Sequence, residues 1–304
     1  MAIKMNVSIY LSNENLVVVS GKAEKNSIKI KTFFTVPLPH GTLINGIIIK
    51  DELIRSYLIK LRSKGILPRK NIRLVIDRSS VLTKFMTIPN MKNKYIYNLI
   101  KETFSGAAEA RNELVYDYSV IETGKVKNVG NQILACGMEK SLVKDYINLF
   151  KSAGISLSSI DIALSSVLKL QNCYNEYKNR TFILSIVDGE NVFALLFLNG
   201  KYSFSNRFRL ISNRGTPESF VEYGSFLSSI VQFNKTQKNN REIESVLFCG
   251  LRKDEEGLCG ELTVALNIKV EEFIGSSVIK PVKVLRSKER DIMKNLFAVA
   301  NLIE

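Results

Sequence analysis

The sequence contains no tryptophan, a single histidine, His40, and four cysteines in 304 residues. One imidazole cannot supply both a metal pair and a catalytic base. Cys136, Cys173, Cys249 and Cys259 include no C-x-x-C spacing. A Cys/His zinc site and a Ser-His-Asp triad are therefore excluded, and no metal site is expected. The thiols read as reduced and buried, since a free cysteine behaves as a small hydrophobe. Long apolar runs are also missing. The longest, Val192 to Leu198, is VFALLFL, whereas a membrane helix needs about 20 apolar residues. The opening MAIKMNVSIYLS turns into a strand too soon for a signal peptide, so a cytoplasmic location is expected.

Acidic residues are the other shortage: 29 Asp and Glu face 43 Lys and Arg, for a net charge of +14. That balance favours an anionic partner, either nucleic acid or an anionic membrane face. Basic clusters occur at KLRSKGILPRKNIR (60–73) and KPVKVLRSKER (280–290). No stacking aromatics are interleaved with them and no nucleic-acid motif accompanies them. Nucleic acid is therefore not an expected partner; an anionic membrane surface remains one. The carboxylate runs Asp254–Glu255–Glu256 and Glu271–Glu272 are adjacent rather than facing and read as solvated charge.

What is present is a repeated pattern. Residues 7–11 and 15–20 are apolar or alternating and β-branched, joined by the turn residues SNEN, so a strand hairpin is expected. IKIKTFFTVPL continues as a third strand. DELIRSYLIKLRSKG follows as a helix with Leu53, Ile54, Tyr57, Leu58 and Leu61 on one face, ended by Gly65. Two short strands fill residues 72–88. The next unit, about residues 89–160, mixes two helices with a few strands. From Thr181 the opening pattern returns: strand, polar turn, strand, an Asn199–Gly200 hairpin turn, strand. Helices follow, ending in SKERDIMKNLFAVANLIE, where Ile292, Leu296, Val299, Ala300 and Ile303 share a face. The echo reads as an internal duplication. The expected fold is α/β, with duplicated lobes around a nucleotide cleft.

At PLPHGTLINGIIIKDELIRSYLIKLRSKGI the sequence resembles the PilM-type type IV pilus assembly proteins, relatives of the FtsA cell-division proteins. The PLP-x-G-x-(I/V)-x-x-G stretch of that family is matched by Pro37, Leu38, Pro39, Gly41, Leu43 and Gly46, and its helix ending in GI by Gly65 and Ile66. Ser79, Ser80, Val81 and Pro89 fit its paired strands. Asp117 and Tyr118 fit its V-x-x-D-Y-x-V strand, and Ala153, Gly154 and Asp161 fit its strand–helix–AG–strand run. The resemblance covers almost the whole chain and is strongest from 36 to 170. It implies an actin-like fold of two RNase H-like lobes with a small α+β insertion. The implied domains are a first lobe at 1–88 and 161–180, the insertion at 89–160, and a second lobe at 181–304 with a reduced helical insertion. It also implies a cytoplasmic adaptor, peripheral at the inner face of the membrane. Its partners would be other pilus platform proteins and the short cytoplasmic tail of PilN, a bitopic membrane protein, received near the insertion. Met86, Ile88, Leu114, Tyr116 and Tyr118 are the candidate contacts.

The nucleotide chemistry of that family is degraded here. Where its first turn reads D-I-G-S-S-x-x-K, this chain has Tyr10 for the Asp, Ser12 for the Gly and Val17 for the Lys. A tyrosine cannot replace a carboxylate beside a metal, although Ser12 and Asn13 could still donate hydrogen bonds. The second turn, SIVDGENV, keeps only Asp188 and Gly189 and adds Glu190. The third element, LFCGLRKDEEG, keeps Gly250 but sets Leu251 and Arg252 beside the adenine position. No catalytic residue and no cofactor are expected. The alternative is an active ATPase of a pilus, secretion or division assembly, with ATP and magnesium as its cofactors.

Overall fold

Burial of both faces of the first two strands sets the core. In a computed structural model, which describes residues 5–106, 113–122, 130–237 and 241–303, the chain begins with β1 (Asn6–Leu11), β2 (Asn15–Glu24) and β3 (Ser27–Pro37). The small hairpin of β4 (Leu43–Ile44) and β5 (Ile47–Ile48) turns on Asn45–Gly46, both in the left-handed region that such two-residue turns require. Helix α1 (Asp51–Ser63) carries Asp51 and Glu52 in its first turn and Lys60 and Arg62 in its last, matching its dipole, and buries Ile54, Leu58 and Leu61. Strand β6 (Ile72–Ile76) then runs parallel to β1.

The insertion follows as β7 (Leu82–Ile88), α2 (Asn93–Phe104), β8 (Leu114–Glu122) and β9 (Asn131–Glu139). Its three-stranded sheet has the order β7-β9-β8, with α2 over one face. The expected boundaries shift at both ends. Strand β7, assigned above to the first lobe, pairs with β9 and belongs to the insertion. Helix α3 (Lys140–Ser152) and β10 (Leu157–Ile162), assigned to the insertion, belong to the first lobe. The reason is where their apolar faces go. Leu142, Tyr146, Leu149 and Phe150 of α3 enter the main core, Tyr146 donates to the Gly46 carbonyl at 2.8 Å, and β10 pairs in parallel with β6.

After α4 (Ala163–Gln171) the pattern repeats as β11 (Phe182–Asp188), β12 (Asn191–Leu198) and β13 (Lys201–Arg209). Helix α5 (Pro217–Thr236) begins at Thr216, whose hydroxyl accepts from the Ser219 N–H, with proline at the first turn. Then come β14 (Ser245–Cys249), α6 (Leu258–Leu266) and β15 (Lys269–Glu272), giving a five-stranded sheet β13-β12-β11-β14-β15. The last segment departs from the expected second lobe. Strand β16 (Ile279–Pro281) pairs with β3 and completes the first sheet as β10-β6-β1-β2-β3-β16. The closing helix is two pieces, α7 (Glu289–Lys294) and α8 (Leu296–Ala300), broken at Asn295. The break lets Phe297 lie between the lobes, 5.3 Å edge-on from Tyr10 and 6.3 Å from Phe193. One apolar cluster therefore runs from the first sheet through α4 and α8 into the second sheet. Among the described residues no helix is long and apolar enough to cross a membrane, and all four cysteines are free.

Candidate functional site

The duplicated hairpins bring their first turns face to face. The β1–β2 turn carries Ser12, Asn13 and Glu14; the β11–β12 turn carries Asp188, Gly189 and Glu190. A phosphate in this position would need free backbone N–H groups. The first turn has none to offer. Ser12 N donates to the Asn15 carbonyl at 2.9 Å. Glu14 N and Asn15 N donate to Ser12 Oγ at 3.1 and 2.9 Å. Asn13 N points across the cleft to Asp188 Oδ2 at 3.4 Å.

The same carboxylate oxygen accepts the Tyr10 hydroxyl at 2.7 Å and Asn13 Nδ2 at 3.5 Å. Tyr10 is buried on the α8 side of β1, so its phenol fills the space a metal-bound water would need. Burial pushes the Asp188 carboxyl up to about 6, against the pull of the Tyr10 hydroxyl and with the Asp77 charge adding to the rise. Burial and the neighbouring Asp188 carboxylate hold the Tyr10 phenol well above its ordinary value. Tyr10 therefore acts as a donor.

Two further pairs cross the cleft. Arg252, beside the expected adenine position, forms an ion pair with Glu14 of the first turn. Arg207 of β13 makes a two-point bridge to Asp77, just after β6, at 2.9 and 2.6 Å, with its guanidinium 3.8 Å above the Phe193 ring. Behind the second turn, Arg214 donates to the carbonyls of Gly189 (3.1 Å) and Gly250 (2.9 Å) and pairs with Glu255, which also accepts the Tyr223 hydroxyl at 2.9 Å. Glu255 is thus not solvated charge, as its run of acids suggested, but a fully buried anion. Burial opposes charge on both partners; their mutual hydrogen bonds overcome it, lowering the Glu255 carboxyl and raising the Arg214 guanidinium. Gly250 has a packing role: φ is +96°, and a Cβ there would stand 2.2 Å from the Val187 carbonyl.

Tyr10, Ser12, Asn13, Asp188, Gly189 and Gly250 are therefore brought together, but as a cross-lobe clasp. Mg-ATP would meet a phenol where the family has a carboxylate, first-turn donors already engaged within the turn or by Asp188, and a Glu14–Arg252 ion pair, beside a cavity of about 300 Å³ that remains between the turns. Among the described residues no group of three or more His, Cys, Asp or Glu could hold a metal. Asp77, Arg207, Arg214 and the Glu14–Arg252 pair carried no sequence signal, because each pairs with a residue more than 35 positions away.

The second candidate region lies at the insertion. A cavity of about 220 Å³ opens between the insertion sheet and the first lobe, floored by Leu134, Cys136 and Met138 of β9 and walled by Val143, Ile160 and Ser165. Residues of two edge strands border it: among the described residues β8 pairs only with β9, and β10 only with β6. Of the candidate contacts named above, Tyr116 and Tyr118 border this cavity, while their side chains turn to α2. Register pairs Val115 and Ser119 with Met138 and Leu134, so these face the groove, while Asp117, opposite Cys136, turns its carboxylate round the strand edge to accept the Tyr97 hydroxyl of α2 at 3.3 Å. Leu114, Tyr116 and Tyr118, one step out of phase, share the opposite face. There Tyr116 stacks on Phe104 of α2 and Tyr118 bonds to Asn93 at 3.1 Å. Ile88 is buried against α2, and Met86 packs against the same cluster. The one-residue phase of β8 decides which side chains could meet a ligand.

No protein-family model matches the chain, and no curated protein sequence matches it. Solved structures do. The fold is similar over its full length to a chain of the "PilM-PilN type IV pilus biogenesis complex", with a TM-score of 0.78 at 16% identity, covering 98% of this chain and 97% of that one. A Bacteroides thetaiotaomicron protein with an actin-like ATPase fold superimposes with a TM-score of 0.59 at 11% identity, covering 98% and 95%. The ethanolamine utilization protein EutJ from Carboxydothermus hydrogenoformans gives 0.53 at 8%, covering 100% and 91%. The fold is actin-like, and its overall arrangement is close to that of the pilus protein.

Proposed function

We propose that the protein is a non-catalytic adaptor of a type IV pilus inner-membrane assembly platform. It binds the short cytoplasmic tail of a PilN-like bitopic partner in the groove between the insertion sheet and the first lobe. The observation that carries this reading is the contrast between the two sites. The interlobe cleft is bridged by the protein's own hydrogen bond and ion pairs, with cavities of about 620 and 300 Å³ left beside them, whereas the groove lies along β8 and β10, each paired on one side among the described residues, over a largely apolar floor. An extended peptide adds backbone hydrogen bonds to such an edge while its side chains enter the pocket. The full-length likeness to a chain from a PilM–PilN complex supports the choice of partner. The protein would sit at the inner face of the membrane, with other platform proteins and anionic lipid as further contacts, and with neither a nucleotide nor a nucleic acid required.

The test is calorimetric titration with the N-terminal cytoplasmic peptide of a PilN-like bitopic protein. Saturable binding is expected, and Cys136→Trp, which fills the groove floor, should abolish it, whereas Tyr118→Phe should not. Absence of saturable binding to the unaltered protein rejects the reading. Titration with Mg-ATP addresses the ATPase alternative: no saturable heat is expected, and a micromolar Kd would reinstate it.

A further inference from the structure

The two basic clusters of the sequence are more than 200 positions apart, yet they reach one end of the first sheet. Arg69 and Lys70 immediately precede β6, and Lys60 and Lys64 lie at the C-terminal end of α1. Strand β16 starts at the same end, four strand intervals away, or about 19 Å. Between them, register places Lys22 of β2 directly opposite Lys29 of β3, and Lys29 directly opposite Lys280 of β16. The three lysines thus form a row across three adjacent strands on one face, with Cβ atoms about 5 Å apart. Lys22 has one exposed carboxylate beside it, Glu24 at 3.1 Å. Lys29 and Lys280 are exposed, with no ion pair to an acidic side chain among the described residues. Like charges set directly opposite one another disfavour the sheet, and an approaching layer of anions reverses that penalty.

We propose that this lysine row docks the protein on an anionic lipid bilayer. The inference rests on the membrane-side placement in the adaptor reading and names the face that makes the contact. The row's chemistry selects the occupant. Its members are all lysine, the compact and strongly hydrated point charge; a surface built to grip individual carboxylates uses the arginine fork. No aromatic side chain alternates with the lysines, as base stacking would require. A flat lattice of point charges matches delocalised headgroup charge, to which each lysine contributes separately.

The experiment is sedimentation of the full chain with phosphatidylcholine vesicles, with and without phosphatidylglycerol, at low salt. Binding should require phosphatidylglycerol. The triple variant Lys22→Glu, Lys29→Glu, Lys280→Glu should bind about 100-fold more weakly. A charge-matched triple on the insertion, Lys92→Glu, Lys94→Glu, Lys101→Glu, should lose far less. The milder Lys→Gln triple, checked by thermal melting, separates lost docking from lost folding and should also weaken binding. Three results overturn the proposal: no lipid-dependent binding, equal loss in both Glu triples, or capture of polyglutamate or duplex DNA by the row without vesicle binding. Tail-peptide titration of the row variant should match the unaltered protein. Loss of tail binding with vesicle binding intact would count against the adaptor reading alone.

Discussion

Replacing Tyr10 by phenylalanine removes one oxygen atom from the centre of the clasp. The ring keeps its edge contact with Phe297, so packing is conserved and the loss is confined to the 2.7 Å hydrogen bond to Asp188. A hydrogen bond to a charged group contributes about 1.5–3 kcal/mol, and the donors left to Asp188 are the Ser12 hydroxyl and two from Asn13 that are long at 3.4 and 3.5 Å. The pH dependence gives the sharper test. Burial already raises the Asp188 carboxyl from its ordinary 3.8 to about 6. Between those values the folded protein holds a proton that the unfolded chain has released, so stability falls as pH rises through the window. At about 1.4 kcal/mol per pKa unit, reduced for the residue's partial exposure, the fall is on the order of 2 kcal/mol by pH 7. The Tyr10 hydroxyl is the strongest of the influences lowering this pKa. Tyr10→Phe therefore moves the carboxyl higher and extends the fall to higher pH. Urea denaturation at about pH 5 and pH 8 measures both effects. The variant should lose about 2 kcal/mol at pH 8 and clearly less at pH 5, and Asp188→Asn should flatten the slope in either background. An equal loss at both pH values, or none, would refute the clasp.

Gly250→Ala should cost on the order of 3 kcal/mol in the same assay, because the added Cβ meets the Val187 carbonyl and the residue leaves its favoured conformation; a neutral result would remove its packing role. Arg214→Met should cost about 3–5 kcal/mol by stranding the buried Glu255 charge, and adding Glu255→Leu should recover much of it. Burial pushes the Cys136 and Cys249 thiols up to about 12 and Cys259 to about 11. Labelling with a disulfide reagent at pH 8 should therefore be slow at these thiols until denaturant is added. Rapid labelling of the folded protein would contradict the packing around them.

Much of the fold was legible because it is written in short-range chemistry. Short apolar, β-branched runs at 7–20 and 182–198, the Asn199–Gly200 turn and the helical spacing of Ile54, Leu58 and Leu61 each act within a few residues. The departures from the family's phosphate motifs were legible in the same way, with Tyr10 and Arg252 standing where that family has acidic or small residues. The groove contacts were not. The residue types of β8 alternate, but both phases are half apolar, so only the position of α2 separates the Tyr116 and Tyr118 side chains from those of Val115 and Ser119.

Residue type and local spacing thus determined the strands, the helices and the duplication. Tertiary structure decided which lobe each end of the chain joins. An apolar face such as that of α3 or α8 specifies that it will be buried and not against what. It also decided the ion pairs, since Asp77 meets Arg207, and Glu14 meets Arg252, only after the two sheets have closed on a shared core. Tyr10 shows the division most clearly. The sequence reveals a phenol where a carboxylate is needed; the closed lobes show that phenol holding Asp188 of the opposite turn.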